Sequence, residues 1–569
     1  MDRPSRRRPA LHGILSGRRS SGPSGPRRRA RGSRAAIAGG GRSAGRGRAV
    51  AFALAALAAA GACTRSSDPA ARAGLGRAVS TGPARALRAS PDGAWLAYLD
   101  GCREARGQFL PPQTASCDLR VVPAQGGASI RVAGAVTTLP QGFAWSPEGG
   151  VLAAAAEYDY LAGASSLVLW RPGGAPAEVA RDVTFYGFSP RGDLALVSAG
   201  RLLRAGPGGA PAPVQGAAGV ATFEFSTSPS AGGRALVARR AASAGGELLA
   251  VGERGAEPIA AGVTEYAVSS AGDGVAFVSL GAEGSMLRFA PSSGGPPRLL
   301  ARGARTFAFA PGGGALAYLS DAAPGKQGDL HVVDPRRPAA HPADEVLGRE
   351  VGEFRWAARA PRLAWLEGYD PRVRSGTLGV GGQGLAPRKL GKNVSDFDVT
   401  PDGTHVAFLQ HTTRGGFSVD LALAPLGEEG AKASVATPPA TVAAGVFGFA
   451  FSPDGKWLYY RTRCTRNAEA CDLERVPASG LAPGAKPTVI AAGMKSFDFD
   501  PRDPGRLLVG FQRMDLQALD IAVWDGTRLV AVDQAVLPGS AQFLGPDSRR
   551  LAYVVIAPKR AGVHVAAIP

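Results

Sequence analysis

Residues able to do chemistry are present in this chain, but the sequence does not gather them. The six histidines, His12, His331, His341, His405, His411 and His564, are scattered. His405 and His411 flank the strand-forming run VAFLQ at an even spacing that would place both on one face, yet a packed or surface imidazole accounts for them better than a metal ligand does. There is no G-x-S-x-G elbow, no H-E-x-x-H pair, no P-loop and no G-x-G-x-x-G between a strand and a helix. Recurring acids, Asp92, Glu148, Asp402, Asp454 and Asp547, could form a calcium ring or an acidic catalytic cluster. Each stands in a turn that needs it, because an Asp side chain bonds its own backbone there. The expectation is a protein that is not an enzyme, with no catalytic residue, no bound metal and no cofactor.

The elements that hold these acids repeat. In FAFSPDGKWLYY, residues 449–460, alternating apolar residues lead into a turn and a second run of strand formers follows. Pro453 presets φ, Asp454 bonds locally and Gly455 returns the chain, which is the chemistry of a β-hairpin turn. Asp92 with Gly93 and Asp402 with Gly403 have the same structural role. The turn proline or its equivalent recurs at 91, 147, 190, 229, 271, 311, 361, 401, 453, 501 and 546; position 271 is Ala, and the turn at 361 lacks its Gly. A step of about 45 residues with one hairpin in each is the period of a four-stranded propeller blade. Third strands follow, such as DLRVVP at 118–123 and DLERVP at 472–477, and a fourth precedes the next turn. The fold class expected is all-β: tandem β-propellers of four-stranded antiparallel blades, about eleven in all. Eleven exceeds the usual four to eight of one ring, so two rings are expected. The Pro-rich stretch 334–346 supplies the boundary, giving 75–345 and 346–569. LGRAVSTG, 75–82, has the character of a fourth strand and could close either the last blade or the first ring.

The repeat F-x-x-S-P-D-G-x-x-L-A-Y followed by D-L-x-V resembles the TolB-type, PD-repeat branch of β-propellers, which also supplies the propellers of prolyl-oligopeptidase relatives. The resemblance covers about residues 75–569 and implies TolB-like propellers. TolB has an α/β domain before its propeller, and the peptidase relatives have a hydrolase domain after theirs. Neither is seen here, so neither role is inherited.

Charge and cysteine usage speak to location. Residues 1–48 hold 14 Arg against one acid, Asp2, so most of the formal +19 sits in this head, and the remainder implies no nucleic-acid partner. An uncharged apolar run, 49–62, follows and stops at Cys63, which reads as an export signal. Its end, Ala60-Gly61-Ala62-Cys63, resembles a bacterial lipobox, which implies lipidation of Cys63; cleavage nearby by the ordinary signal peptidase is the alternative. Thr64 after the cysteine, by the sorting rule of enteric lipoproteins, implies the outer membrane facing the periplasm, with the cell surface or soluble periplasm as alternatives. A start codon set too far upstream would explain the long head, since no second Met occurs before Met286. The segments are thus 1–62, head and signal; 63–74, linker; then the two propellers.

With Cys63 assigned to lipid, Cys102 pairs with Cys117 and Cys464 with Cys471, at equivalent places in their repeats, as an oxidising compartment permits. A metal site is disfavoured, since each pair lacks nearby His or further Cys. The bounded loops 102–117 and 464–471, with 157–166 and 367–376 in the same inter-strand position, are candidates for recognition, or only for protection from proteolysis. The function expected is an envelope lipoprotein, a non-catalytic scaffold for protein or peptidoglycan-associated partners, tied to the membrane by its N-terminal lipid. A propeller hydrolase or lyase, or a small-ligand sensor, is the alternative.

Overall fold

The structure, a computed structural model, describes residues 75–104, 115–226, 236–240, 245–282, 284–292, 295–304, 306–320, 327–337, 345–382, 385–411, 419–427, 438–465, 470–480 and 486–569. Cys63, the signal and the linker lie outside them. The described residues all belong to one compact unit.

Every described element is a strand, and the strands fall into seven antiparallel sheets. The first sheet shows the unit: Ala84–Ala89, Trp95–Glu104, Ala115–Pro123 and Ile130–Thr137, paired in chain order. Three sheets have four strands; three of seven and one of eight hold two such units each, giving eleven blades among the described residues. In the three seven-stranded sheets the two blades fuse because one long strand serves both, whereas blades 10 and 11 join only where Val536 stands opposite Val555. Ala177–Phe188, Gly255–Val268 and Leu385–Val399 each end one blade and begin the next. A residue at positive φ marks each crossing, Asp182 at 52°, Gly262 at 68° and Asn393 at 56°. This local break lets the strand change partners.

A blade has two apolar faces and must bury both. Leu458, Tyr459 and Tyr460 are consecutive and all fully buried, Leu458 and Tyr460 against blade 8 and Tyr459 against blade 10. Each blade packs on the next in this way, and the packing crosses the boundary expected at 345/346. Ala317, Leu319 and Leu330 of blade 6 pack with Leu363 and Trp365 of blade 7. The reason is local: the Pro-rich stretch joins the third strand of blade 6, Gly328–Val333, to its fourth, Glu345–Val351, and so lies within a blade. Leu96, Tyr98 and Val122 of blade 1 pack in turn with Leu544, Ala552 and Val554 of blade 11. The blades therefore follow one closed circuit, in place of the two rings expected.

Closure joins the first and last described strands. Arg77–Ala78 pairs antiparallel with Gly562–Ala567, Arg77 opposite Val565, as the missing fourth strand of blade 11. Asp533, fully buried, holds the join: it accepts from Tyr553 Oη (2.7 Å), from Arg560 Nη1 and Nη2 (both 2.8 Å) and from the Gly76 N–H (3.2 Å). Burial pushes this carboxyl up, but hydrogen bonds from Arg560 and Tyr553 outweigh burial and hold it below the usual carboxylate range. His564 places Nδ1 3.1 Å from the Gly76 carbonyl and Nε2 2.8 Å from that of Arg560.

The hairpin turns meet one another around one face. Gly93 has φ 71°, and a Cβ there would lie 2.2 Å from the Gly545 backbone nitrogen in the turn of blade 11. Gly149 meets Asp92 of blade 1, and Gly455 meets Pro401 of blade 8, in the same way. Since every second strand runs away from its turn, all second-to-third-strand connections emerge on the opposite, loop face.

Candidate binding surfaces at the ring centre and on the loop face

First strands of neighbouring blades touch, which places them at the inner radius where blades converge. Arg88 donates to the Phe143 carbonyl and to that of Pro140 (3.0 Å), its guanidinium 4.8 Å from the Phe143 ring centroid. Arg355, at the same place in blade 7, donates to the Phe397 carbonyl (2.5 Å) and lies 5.0 Å from that ring centroid. In the other direction, Trp145 Nε1 donates to the Arg88 carbonyl and Trp356 Nε1 to that of Ala308, both at 3.1 Å. Gln542 completes the stitching at closure: its Oε1 accepts from the Ala89 N–H (3.1 Å) and its Nε2 donates to the Leu87 carbonyl.

A charge cluster on the inner strands lies between blades 7 and 8. Arg355 Nη2 is 2.7 Å from Glu353 and 3.3 Å from Asp396. Burial works against the charge of Arg355, but Glu353, Asp396 and Asp398 outweigh it and hold the guanidinium above its ordinary value. Burial pushes Asp396 up, with Arg355 opposing. This arrangement fixes strands; its carboxylates are engaged by the arginine and by the Phe397 N–H (2.9 Å). Arg88, Arg355, Asp396 and Gln542 are not among the residues that the sequence singles out. Their signal was the central or preceding position of each Φ-x-Φ stretch before a turn, a position that alternates away from the apolar pattern.

The turn acids serve their own turns. Asp92 Oδ1 accepts from Ser90 Oγ (2.5 Å) and the Ala94 N–H (3.0 Å), and Ser90 Oγ accepts from the Trp95 N–H (2.9 Å). Asp454 repeats this with Ser452 Oγ (2.6 Å) and the Lys456 N–H (3.1 Å), and Asp402 with Thr404 Oγ1 (2.9 Å) and its N–H (3.1 Å). Burial raises Asp402 and Asp454, yet these hydrogen bonds outweigh it and hold both low. Gly403 and Gly455 adopt φ 75° and 80°. Asp547 accepts from the Arg549 N–H (3.2 Å), and Glu148 is exposed. Among the described residues, no three of His, Cys, Asp and Glu are grouped to hold a metal ion.

The histidines stay apart. His405 and His411 stand at the two ends of one strand, opposite Pro425 and Val419, about 20 Å apart at strand rise. Burial pulls the His405 imidazole down, with Asp402 opposing, and its Nδ1 lies 3.0 Å from Thr404 Oγ1. His331 stacks on Tyr318, with Nε2 2.8 Å from Ser320 Oγ. His12 and His341 lie outside the described residues.

On the loop face, Cys102–Cys117 and Cys464–Cys471 are disulfides, with Cα atoms 4.1 and 4.0 Å apart. Residues 105–114 and 466–469 between them lie outside the description. Tyr160, in the connection of blade 2, donates to the Ala115 carbonyl (2.7 Å) at the foot of the first disulfide loop, and Tyr158 packs edge-on against it. Tyr160 is thus spent on the scaffold. The tip Arg372-Val373-Arg374 is exposed. Between blades 10 and 11, a cleft of about 230 Å³ is lined by Ser496, Asp498, Gly510, Leu519 and Ala541 among others.

No protein-family profile matches the chain, and no curated protein does. Solved structures similar to it include a eukaryotic initiation factor, at 14% identity and TM-score 0.38, covering 64% of this chain and 92% of that one. The Dos1 propeller matches at 11% and 0.32, over 62% and 95%, and TolB from Acinetobacter baumannii at 15% and 0.21, over 43% and 61%. The assignment of propeller blades rests on the chain's own strand pairing and blade packing.

Proposed function

We propose that the chain is an exported, TolB-like β-propeller lipoprotein of the cell envelope, lipidated at Cys63, that binds envelope partners without catalysis. The observation that carries this reading is the pair of disulfides at equivalent connections of one face. Cystines persist in oxidising compartments, and connections held on a rigid ring are suited to recognition. Inner-strand charges are committed to cross-blade contacts, which supports binding over chemistry at the centre. The mature N-terminus would face the periplasm from the outer membrane, and the partners would be protein or peptidoglycan-associated. The test is mass spectrometry of the mature N-terminus in cells with and without globomycin. An acylated Cys63, with precursor accumulating under the drug, is the result expected; an unmodified, soluble periplasmic chain would sink the anchored reading. The cleft between blades 10 and 11 favours a second reading, a small-ligand sensor, for which filling the cleft with Gly510→Leu would abolish ligand binding.

A further inference from the structure

The two cystines of the loop face stand at equivalent places in blades 1 and 9, yet their surroundings differ at one position. Three residues before the first cysteine of each pair stand Leu99 in blade 1 and Arg461 in blade 9. Strand register confirms the match: Leu99 lies opposite Leu119 and Arg461 opposite Leu473, each two residues beyond the second cysteine. Leu99, fully buried, shares an apolar cluster with Cys117, and among the described residues no cation donates to either sulfur of that cystine. In blade 9, Arg461 Nη2 donates to Cys471 Sγ at 3.2 Å.

The two sulfurs of the blade 9 cystine are not alike. Cys471 is fully buried, whereas Cys464 is half-buried between the exposed Arg463 and Thr465. A thiolate from outside therefore reaches Cys464, and Cys471 is the sulfur that leaves. Arg463 does not supply charge to it, since that guanidinium is engaged by Asp472 (2.7 Å) and Glu474 (2.5 Å). Arg461 does. Burial pulls its guanidinium down, but an arginine stays protonated in proteins. A cation beside a thiol makes it more acidic, and the more acidic thiol is the better leaving group in disulfide exchange.

We propose that Cys464–Cys471 is a thiol–disulfide exchange site, opened by a dithiol, whereas Cys102–Cys117 is a permanent staple. A thiolate of the dithiol bonds to Cys464 Sγ, the bond between the two cysteine sulfurs breaks, and its electron pair leaves on Cys471 Sγ, held as thiolate by Arg461. The second thiol then attacks the mixed disulfide, its proton passing to Cys464 Sγ as that sulfur leaves. The reagent departs as its own disulfide, oxidised by the two electrons that the protein has gained. Opening releases the second-to-third-strand connection of blade 9, while the ion pairs of Arg463 keep the two strand ends together. One connection of the loop face changes and the ring does not. The inference rests on the exported reading for its setting, but not on the lipid at Cys63.

The experiment incubates the full, oxidised chain with dithiothreitol, traps free thiols with iodoacetamide at intervals and reads each cysteine pair by peptide mass mapping. Cys464–Cys471 should open about tenfold faster than Cys102–Cys117, since a cation commonly makes a neighbouring thiol at least about tenfold more acidic. Both pairs are read in one folded molecule, so this comparison needs no variant. Arg461→Met should slow the opening of Cys464–Cys471 to about the rate of Cys102–Cys117 and shift its equilibrium with dithiothreitol toward the cystine, while Arg461→Lys keeps most of the rate. A purely structural Arg461 predicts the reverse, because a lost contact loosens the connection and speeds reduction; an unchanged rate at Cys102–Cys117 shows that the variant is folded. Equal rates for the two pairs in the unaltered chain, or opening in Arg461→Met as fast as before or faster, would overturn the proposal. An unmodified Cys63 in cells would refute the anchor and leave these rates standing.

Discussion

Replacing Arg560 with Met tests how the ring is closed. The guanidinium makes two 2.8 Å hydrogen bonds to Asp533, a carboxylate with no exposed side-chain surface. Removing one partner of a buried pair commonly costs about 3–5 kcal/mol, because the other charge remains uncompensated. Arg560 is itself 28% exposed, and Tyr553 and the Gly76 N–H still serve Asp533, so the lower end, about 3 kcal/mol, is the expectation here. The loss falls on the closing strand. Amides of Val79, Ser80 and Gly82, which donate to Val563 and Ala561, should exchange with deuterium on the order of a hundredfold faster, while amides in blade 4 keep their rates. The double variant Asp533→Asn, Arg560→Met should be less damaged than Arg560→Met alone, because it buries no charge. The pH dependence follows from the same pair. The carboxyl of Asp533 is held low in the folded chain, so its contribution is present above the unfolded value of about 3.9 and is lost as pH falls through the lower folded value. Less than tenfold faster exchange in Arg560→Met, or equal acceleration in every blade, would refute the reasoning.

Residues 75–345, expressed alone, should lack a cooperative thermal transition, because blades 1 and 6 would each expose an apolar face that Leu544 or Trp365 now covers; a sharp transition by calorimetry would restore an independent first ring. Gly93→Ala should destabilise the junction of blades 1 and 11 by more than about 1 kcal/mol, since it adds left-handed strain to a contact with the Gly545 backbone, and urea unfolding reads the change. Reducing Cys102–Cys117 and Cys464–Cys471, which close separations of 15 and 7 residues, should cost about 2–3 kcal/mol each and expose the loop face to protease first. Arg355→Met should loosen the junction of blades 7 and 8, read as faster exchange at the Phe397 amide beside Asp396, with the junction of blades 3 and 4 unaffected.

Blades were legible in the sequence because a turn is local chemistry: Ser452, Pro453, Asp454 and Gly455 specify their own geometry whatever lies beyond them. The number of rings was not. Every blade writes the same period, and whether eleven close once or twice depends on the small angle between neighbours, which no single motif records. The Pro-rich run at 334–346 compounded this, because a long connection inside a blade and a linker between domains share one composition. At the centre, Arg88 and Arg355 were invisible for another reason. Each alternates with apolar neighbours as a solvent-facing residue would, and only the adjoining blade turns that position into a hydrogen-bonding site. The buried Asp533 was hidden likewise, since its partners, Tyr553, Arg560 and Gly76, come from three separate stretches of chain.

The pairing of Arg77 with Val565 also sets an order of events in synthesis. A chain emerging from its N-terminus cannot close until residues 562–567 are available, so the closed ring follows the folding of the other blades and is not their scaffold. Until then blade 1 waits with Leu96 and Tyr98 uncovered, open to aggregation and to proteases. A chain interrupted before Gly562 would therefore have almost all of the described blade contacts and no stable circle, a difference that composition hardly records.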